Sequence, residues 1–469
     1  IKKAIQSINK LSLKNPVLSL DIPSGTCSDT GKTRGASVVA DTTATFVGQK
    51  RGCFTSEGRS CSGEIFFSDL NIPKSVSSKV KSECFLLDME NQMDKIILRD
   101  LNSHKGNFGH VLVVGGNSGY GGAGILAAKA AAYSGAGLVG LATKPEHVGP
   151  SIVSCPEVMA IGVDSGQDLE SYLENPNVIA VGPGLGQTAW SEQLLQRVFI
   201  EADKRQVSVI LDADALNLLS TLKLSTKRPE NLIITPHPGE AARLLGKTIH
   251  EIESDRFKSV ALLQEKYNAV VVLKGSGSLV CYKKLGLQKI GVCNAGNPGM
   301  ATGGMGDVLT GVIAALHAQG LPGYQAAALG AMNGVPARTY TFLKMHASQA
   351  TGSYSAMMIA RCAAAGRRLR ACACAPSHTA PLAAGVRGAA GGGRAPHRVG
   401  EGGVLEHGLF PRRVERAGEA QRRVGAAELR AGAGAGRAAR ARSQRLQGAA
   451  ARGRQLSGSR RLGAQLESR

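Results

Sequence analysis

Asn297-Pro-Gly-Met-Ala-Thr-Gly-Gly-Met-Gly-Asp307, running straight into the apolar stretch 308–317, is a glycine-rich loop that opens a helix. Its four glycines let backbone N–H groups converge where side chains would obstruct them. The helix start adds roughly half a positive charge at the same spot. Together they make an anion hole suited to a polyphosphate. Asp307 stands at its edge, where phosphate repulsion makes a carboxylate costly. A carboxylate kept there is most simply a base acting on a substrate hydroxyl. The bland alternative is a glycine-rich turn with an Asp N-cap. The length of the motif and the cooperation of its parts argue against it.

Outward from this loop the grain of the chain is β/α. Apolar runs at 110–114, 178–181, 207–211, 231–234 and 269–273 alternate with helical stretches at 123–134, 191–204, 239–245, 252–267 and 305–318. Such alternation predicts a mostly parallel sheet with helices on both faces. Four further loops follow these strands. They are Gly115-Gly-Asn-Ser-Gly-Tyr-Gly-Gly-Ala-Gly124, Gly182-Pro-Gly-Leu-Gly186, Thr235-Pro-His-Pro-Gly-Glu240 and Lys274-Gly-Ser-Gly-Ser278. A parallel sheet brings loops of this kind to one edge, where α/β folds place their ligands. Each alone is weak. The first contains Gly119-x-Gly121-x-x-Gly124, the dinucleotide fingerprint, but the strand after it ends in Ala142-Thr-Lys-Pro145 with no well-placed acidic partner. Two Gly-Lys-Thr triplets, at 31–33 and 246–248, lack the earlier glycine of a P-loop.

The rest of the 469 residues divides unevenly. Residues 1–75 alternate short strand-like runs with Gly/Pro turns and read as the second half of something. Residues 76–103 read as a linker, 104–337 as the main domain, and 338–469 as an Arg/Ala/Gly-rich tail. The tail holds 23 Arg and 1 Lys against 6 Glu, so it carries +18 of the +21 net charge. The first 337 residues are near neutral, like an ordinary enzyme, and no nucleic-acid partner is expected of them. The tail itself is either a natural disordered basic segment or an out-of-frame translation; its composition predicts no packed core. No apolar run reaches a membrane span of about 18 residues, and no signal-peptide pattern opens the chain. Ten scattered cysteines without CxxC pairs suggest a reduced, cytoplasmic protein. A homo-oligomer is expected.

Taken together, Tyr120-Gly-Gly-Ala123, Gly182-Pro-Gly-Leu-Gly186, His237-Pro-Gly-Glu240, Lys274-Gly and Gly303-Gly-Met-Gly-Asp307 resemble, in order, the motifs of the ADP/ATP-dependent NAD(P)H-hydrate dehydratases, relatives of ribokinase. Simple sugar kinases of that fold usually have Ala where Met305 stands. Residues 16–73 resemble the C-terminal part of the NAD(P)H-hydrate epimerase domain, through Asp21-Ile-Pro-Ser-Gly25, Asp41-Thr-Thr-Ala-Thr-Phe46 and Cys61-Ser-Gly-Glu64. The resemblance implies a ribokinase-like domain after a partial Rossmann-like epimerase domain. It implies repair of (S)-NAD(P)H hydrate by phosphorylation and elimination, with ADP (or ATP) as donor and Mg2+ on the phosphates. Lys274, Gly275, Ser276, Gly277, Ser278, Asn297, Pro298, Gly299, Met300, Ala301, Thr302, Gly303, Gly304, Met305 and Gly306 would hold the nucleotide. Ala123, Gly184, Gly186 and His237 would line the hydrate pocket, and Asp307 would be the base. In the epimerase part Asp21 would contact substrate and Ser24 would face K+. That part lacks the family's Asn-rich loop and an acidic residue that helps hold potassium, so no epimerase activity is expected. The dehydratase pattern fades at 332–337, which predicts a missing closing helix.

Overall fold

The runs of Val, Ile and Leu named above are strands in a computed structural model that describes residues 1–333, except 78, 81, 83, 89–98, 222–228 and 297. The expected tail, and Asn297 within the loop, lie outside the described residues. A small parallel sheet comes first, from β1 (Leu18–Leu20), β2 (Thr42–Phe46) and β3 (Glu64–Ser68) in that order. The helix Lys2–Leu11, which sequence reading missed, is tied to it: Asn9 Nδ2 donates to the Ser37 carbonyl at 2.9 Å, and Val39 N–H donates to Asn9 Oδ1 at 3.0 Å.

The large sheet uses β4 (Cys84–Leu86), β5 (His110–Val114), β6 (Leu138–Thr143), β7 (Met159–Gly162), β8 (Val178–Val181), β9 (Ser208–Leu211), β10 (Leu232–Ile234), β11 (Val270–Leu273), β12 (Ser278–Lys284) and β13 (Leu287–Cys293). Their order is β4-β13-β12-β11-β10-β9-β8-β5-β6-β7, and every neighbouring pair is parallel except the two made by β12. Residues 84–86, inside the expected linker, are therefore an edge strand. Leu86 and the buried Leu87 pack onto the core at that edge.

Both faces of the sheet's central strands are buried. Leu112 and Val114 join one apolar cluster while Val111 and Val113 join the other, and Val271/Leu273 against Val272 repeat the split. A strand buried on both sides must be apolar at every position, which is why these runs show no polar alternation. One face is covered by the helices Ala189–Arg205, Ala213–Thr221, Pro238–Leu245 and Arg256–Tyr267. The other is covered by Gly121–Tyr133, Met305–Ala318 and Gly323–Asn333. From β5 the chain builds outward through β6 to β7, then returns to the other side of β5 with β8. That reversal opens a crevice at the C-terminal ends of β5 and β8.

Candidate active site

The crevice is built from the loops that follow the strands. After β5, Gly116 and Asn117 N–H donate to the Pro183 and Gly184 carbonyls at 3.0 and 2.7 Å. The two glycine loops thus lie against each other across the switch point. A Cβ on Gly184 would meet the Tyr120 carbonyl oxygen at 2.4 Å and the Ala123 Cβ at 3.1 Å. Gly186 N–H donates to Asp214 Oδ2 at 2.9 Å, which ties this pair of loops to the end of β9. Ala123 thus lies against Gly184, while Gly186, two residues on, lies against Asn117.

The next group is ionic. Asp212, directly after β9 and only 1% exposed, accepts from Lys274 Nζ at 2.6 Å through Oδ1 and from Thr310 Oγ1 at 2.9 Å through Oδ2. Burial opposes its charge, but the Lys274 ammonium outweighs burial and holds its proton affinity below the ordinary carboxylate value. Lys274 Nζ also lies 3.7 Å from Glu240 Oε2. His237 caps the helix Pro238–Leu245. Its Nδ1 accepts from the Gly239 and Glu240 amides at 3.0 and 3.3 Å, and the His237 backbone N–H donates to Glu240 Oε2 at 2.7 Å. With Nδ1 an acceptor and its proton affinity lowered by burial and then by Lys274, the ring is neutral, with Nε2 3.3 Å from Glu240 Oε1. Asp212 and Glu240 were absent from the sequence-derived site. The signal was there for Asp212: Asp212-Ala-Asp214 stands at the C-terminal end of an apolar strand.

Asp307 lies in the first turn of the helix Met305–Ala318, capped by Gly304 at φ +88°. Burial, then the nearby Asp212 charge, push its proton affinity up to about 7. The loop before it is more selective than expected. The N–H groups of Ala301 and Thr302 are spent on the Pro298 and Met300 carbonyls. The amides left to face an anion are those of Gly303 and the helix's opening positions, Gly304 to Asp307, which have no intrahelical partner. Beside them is a cavity of about 610 Å³ lined by Lys274, Gly275, Ser276, Ser278, Pro298, Met300, Ala301, Met305 and Gly306, among others. That volume suits a small-molecule ligand.

Asp21 and Ser24, in the loop after β1, are not among the residues that line this cavity. Asp21, at φ +68°, is paired with Lys50 and accepts from Thr45 Oγ1 and Phe46 N–H, each at 3.2 Å. The Ser24 carbonyl already accepts from Val38 N–H at 2.9 Å and from the Ser37 hydroxyl. Among the described residues no group of three or more His, Cys, Asp or Glu is arranged to hold a metal ion.

Residues 111–351 match the family described as NAD(P)H-hydrate dehydratase, and residues 1–52 match the YjeF-related protein N-terminus. The chain belongs to the NAD(P)H-hydrate dehydratase family. It is 46% identical over 305 residues to the bifunctional NAD(P)H-hydrate repair enzyme of Coxiella burnetii, covering 65% of this chain and 60% of that protein. It is 39% identical over 317 residues to the Escherichia coli enzyme of the same description, covering 67% of this chain and 59% of that one. The chain thus spans about 60% of the length of these relatives. A solved ribokinase-like superfamily protein from Enterococcus faecalis superposes with a TM-score of 0.51 at 30% identity, over 61% of this chain and 97% of that one. The expected ribokinase-like architecture is borne out. Among the described residues of this family member, no helix is long and apolar enough to cross a membrane.

Proposed function

We propose that this chain restores NAD(P)H from (S)-NAD(P)H hydrate, using ADP or ATP to phosphorylate the hydroxyl on the reduced ring before eliminating it. The observation that carries the reading is the juxtaposition at one sheet edge of free first-turn amides, Gly304 to Asp307, with a carboxylate whose proton affinity lies near neutrality. Hydroxide is a poor leaving group and phosphate a good one. Asp307 takes the proton of the hydroxyl, whose oxygen then attacks the terminal phosphorus as the bond to the bridging oxygen breaks. The amides of residues 303–307 stabilise charge as it develops on the phosphoryl oxygens. The ring C–O bond then breaks and inorganic phosphate leaves, while the neighbouring ring carbon gives up a proton to restore the double bond.

The Lys274 to Ser278 and Pro298 to Gly306 segments hold the nucleotide, and Ala123, Gly184, Gly186 and His237 line the hydrate pocket. Lys274 is fixed by Asp212 and Glu240, so its ammonium is aimed without reorganisation. Magnesium would supply neutralisation of the phosphate charge; among the described residues no cluster of three or more His, Cys, Asp or Glu stands ready to hold it without the nucleotide. No step here runs through potassium, and the epimerase activity of the longer relatives is not assigned to this chain.

Asp307→Asn tests the central role. Turnover of NADH hydrate should fall by about 10²–10⁴-fold, while ADP titrated calorimetrically still binds. A variant that turns over like the parent would remove Asp307 from the chemistry.

A further inference from the structure

We infer that the first piece of the chain completes the nucleotide site: Arg59 is a nucleotide-binding residue, held by a clasp between residues 54–60 and the Lys274–Ser278 loop. The inference rests on the nucleotide reading above and extends that site into a segment to which the reading gave no part in it.

The clasp is built from backbone. Ser56 N–H and Thr55 Oγ1 both donate to the Ser276 carbonyl, each at 3.1 Å, and Thr55 Oγ1 also lies 3.2 Å from the Gly277 carbonyl. Thr55 is fully buried. Gly277, at φ +67°, has the Phe54 carbonyl oxygen where a Cβ would come, 2.0 Å away. Arg256, 1% exposed, joins the two sides. Its Nε donates to Thr55 Oγ1 at 3.2 Å, and its Nη2 donates to the Leu273 and Lys274 carbonyls at 3.2 and 3.1 Å. The loop that follows β11 is therefore shaped as much by the first segment as by its own strand.

Arg59 extends from this clasp. Its Nη2 donates to the Asn294 and Gly296 carbonyls at 3.0 and 2.9 Å, just before the glycine-rich loop. Arg59 and Ser60 line the same 610 Å³ cavity as Lys274, Met305 and Gly306. Lys274 is neutralised by Asp212 and Glu240. Arg59 meets no carboxylate among the described residues and has donors left beyond Nη2. Among the described residues it is thus a cation without a counter-ion, on the wall of a cavity that ends in an anion hole. A guanidinium so placed suits the phosphates of a nucleoside diphosphate.

The test uses the full chain with ADP as the probe. Arg59→Ala should weaken ADP binding by about tenfold or more, and the loss should shrink at high salt as charge is screened. Arg59→Lys, which keeps the charge, should recover most of the affinity. In turnover, Arg59→Ala should raise the KM for ADP and leave kcat and the KM for hydrate unchanged, a split that a merely structural role would not give. Parent-like ADP affinity in both variants overturns the inference and leaves the nucleotide reading standing. Failure of the unaltered chain to bind ADP or ATP overturns both.

Discussion

Burial pushes two carboxylates of this site, Asp307 and Glu240, up to about 7, and their neighbours divide the roles. Asp307 must be ionised to accept a proton, so turnover should rise with pH through about 7; a pH profile of kcat over KM checks this. Stability should move the opposite way. Glu240 in the folded chain holds a proton between about 4.5, its ordinary value, and about 7. The unfolded chain does not, so this contribution is full below about 4.5 and is lost as pH rises to 7. Glu240→Gln should flatten that part of the stability curve in chemical denaturation. Asp212 has the opposite sign: its contribution holds above the ordinary 3.8 and is lost in acid as it protonates. Lys274→Met would strand Asp212 without its counter-ion. It should cost about 3–5 kcal/mol, as for other broken buried pairs, and lower the thermal midpoint as well as activity.

At the scale of elements, close backbone approaches hold the site-bearing helix in place. A Cβ on Gly311 would come 2.1 Å from the Ala127 carbonyl oxygen of the helix Gly121–Tyr133. Gly311→Val should therefore push the two helices apart, costing about 1–3 kcal/mol or more. Denaturant titration should show it, and the Met305 end of the helix should shift off the phosphate position, weakening nucleotide binding too.

The site-bearing helices were legible as the stretches between strand-like runs. The expected helix at 252–267 is divided at Asp255, whose side chain accepts from Lys258 N–H at 2.9 Å and starts a new helix. The β12–β13 hairpin was not legible. Its turn, Leu285 at φ +49° and Gly286 at φ +79°, has the double positive φ of a tight hairpin but lacks the Asn-Gly or Asp-Gly that signals one. Asp307 and the glycine loops could be read because their chemistry is local. The Lys274–Asp212 pair joins residues 62 apart in sequence, and only the parallel sheet brings them together. The clasp at Thr55 spans more than 200 residues and leaves no periodic trace.

For the whole molecule, the net charge of +21 says little about the site, since most of it lies after residue 337. What organises the site is the parallel sheet, whose order reverses at β5 and β8 and gathers the loops at one edge, with Gly306 of the glycine-rich turn beside Lys274 and Asp212. The central claim is that this edge removes water from a damaged cofactor at the expense of a nucleotide. The most direct test mixes the purified full chain with NADH hydrate and magnesium, with ADP, ATP or no nucleotide, and follows NADH absorbance. The account predicts recovery of NADH only when a nucleotide is present. Bound nucleotide with no recovered NADH, and a stable phosphorylated product instead, would contradict it and mark the site as a kinase.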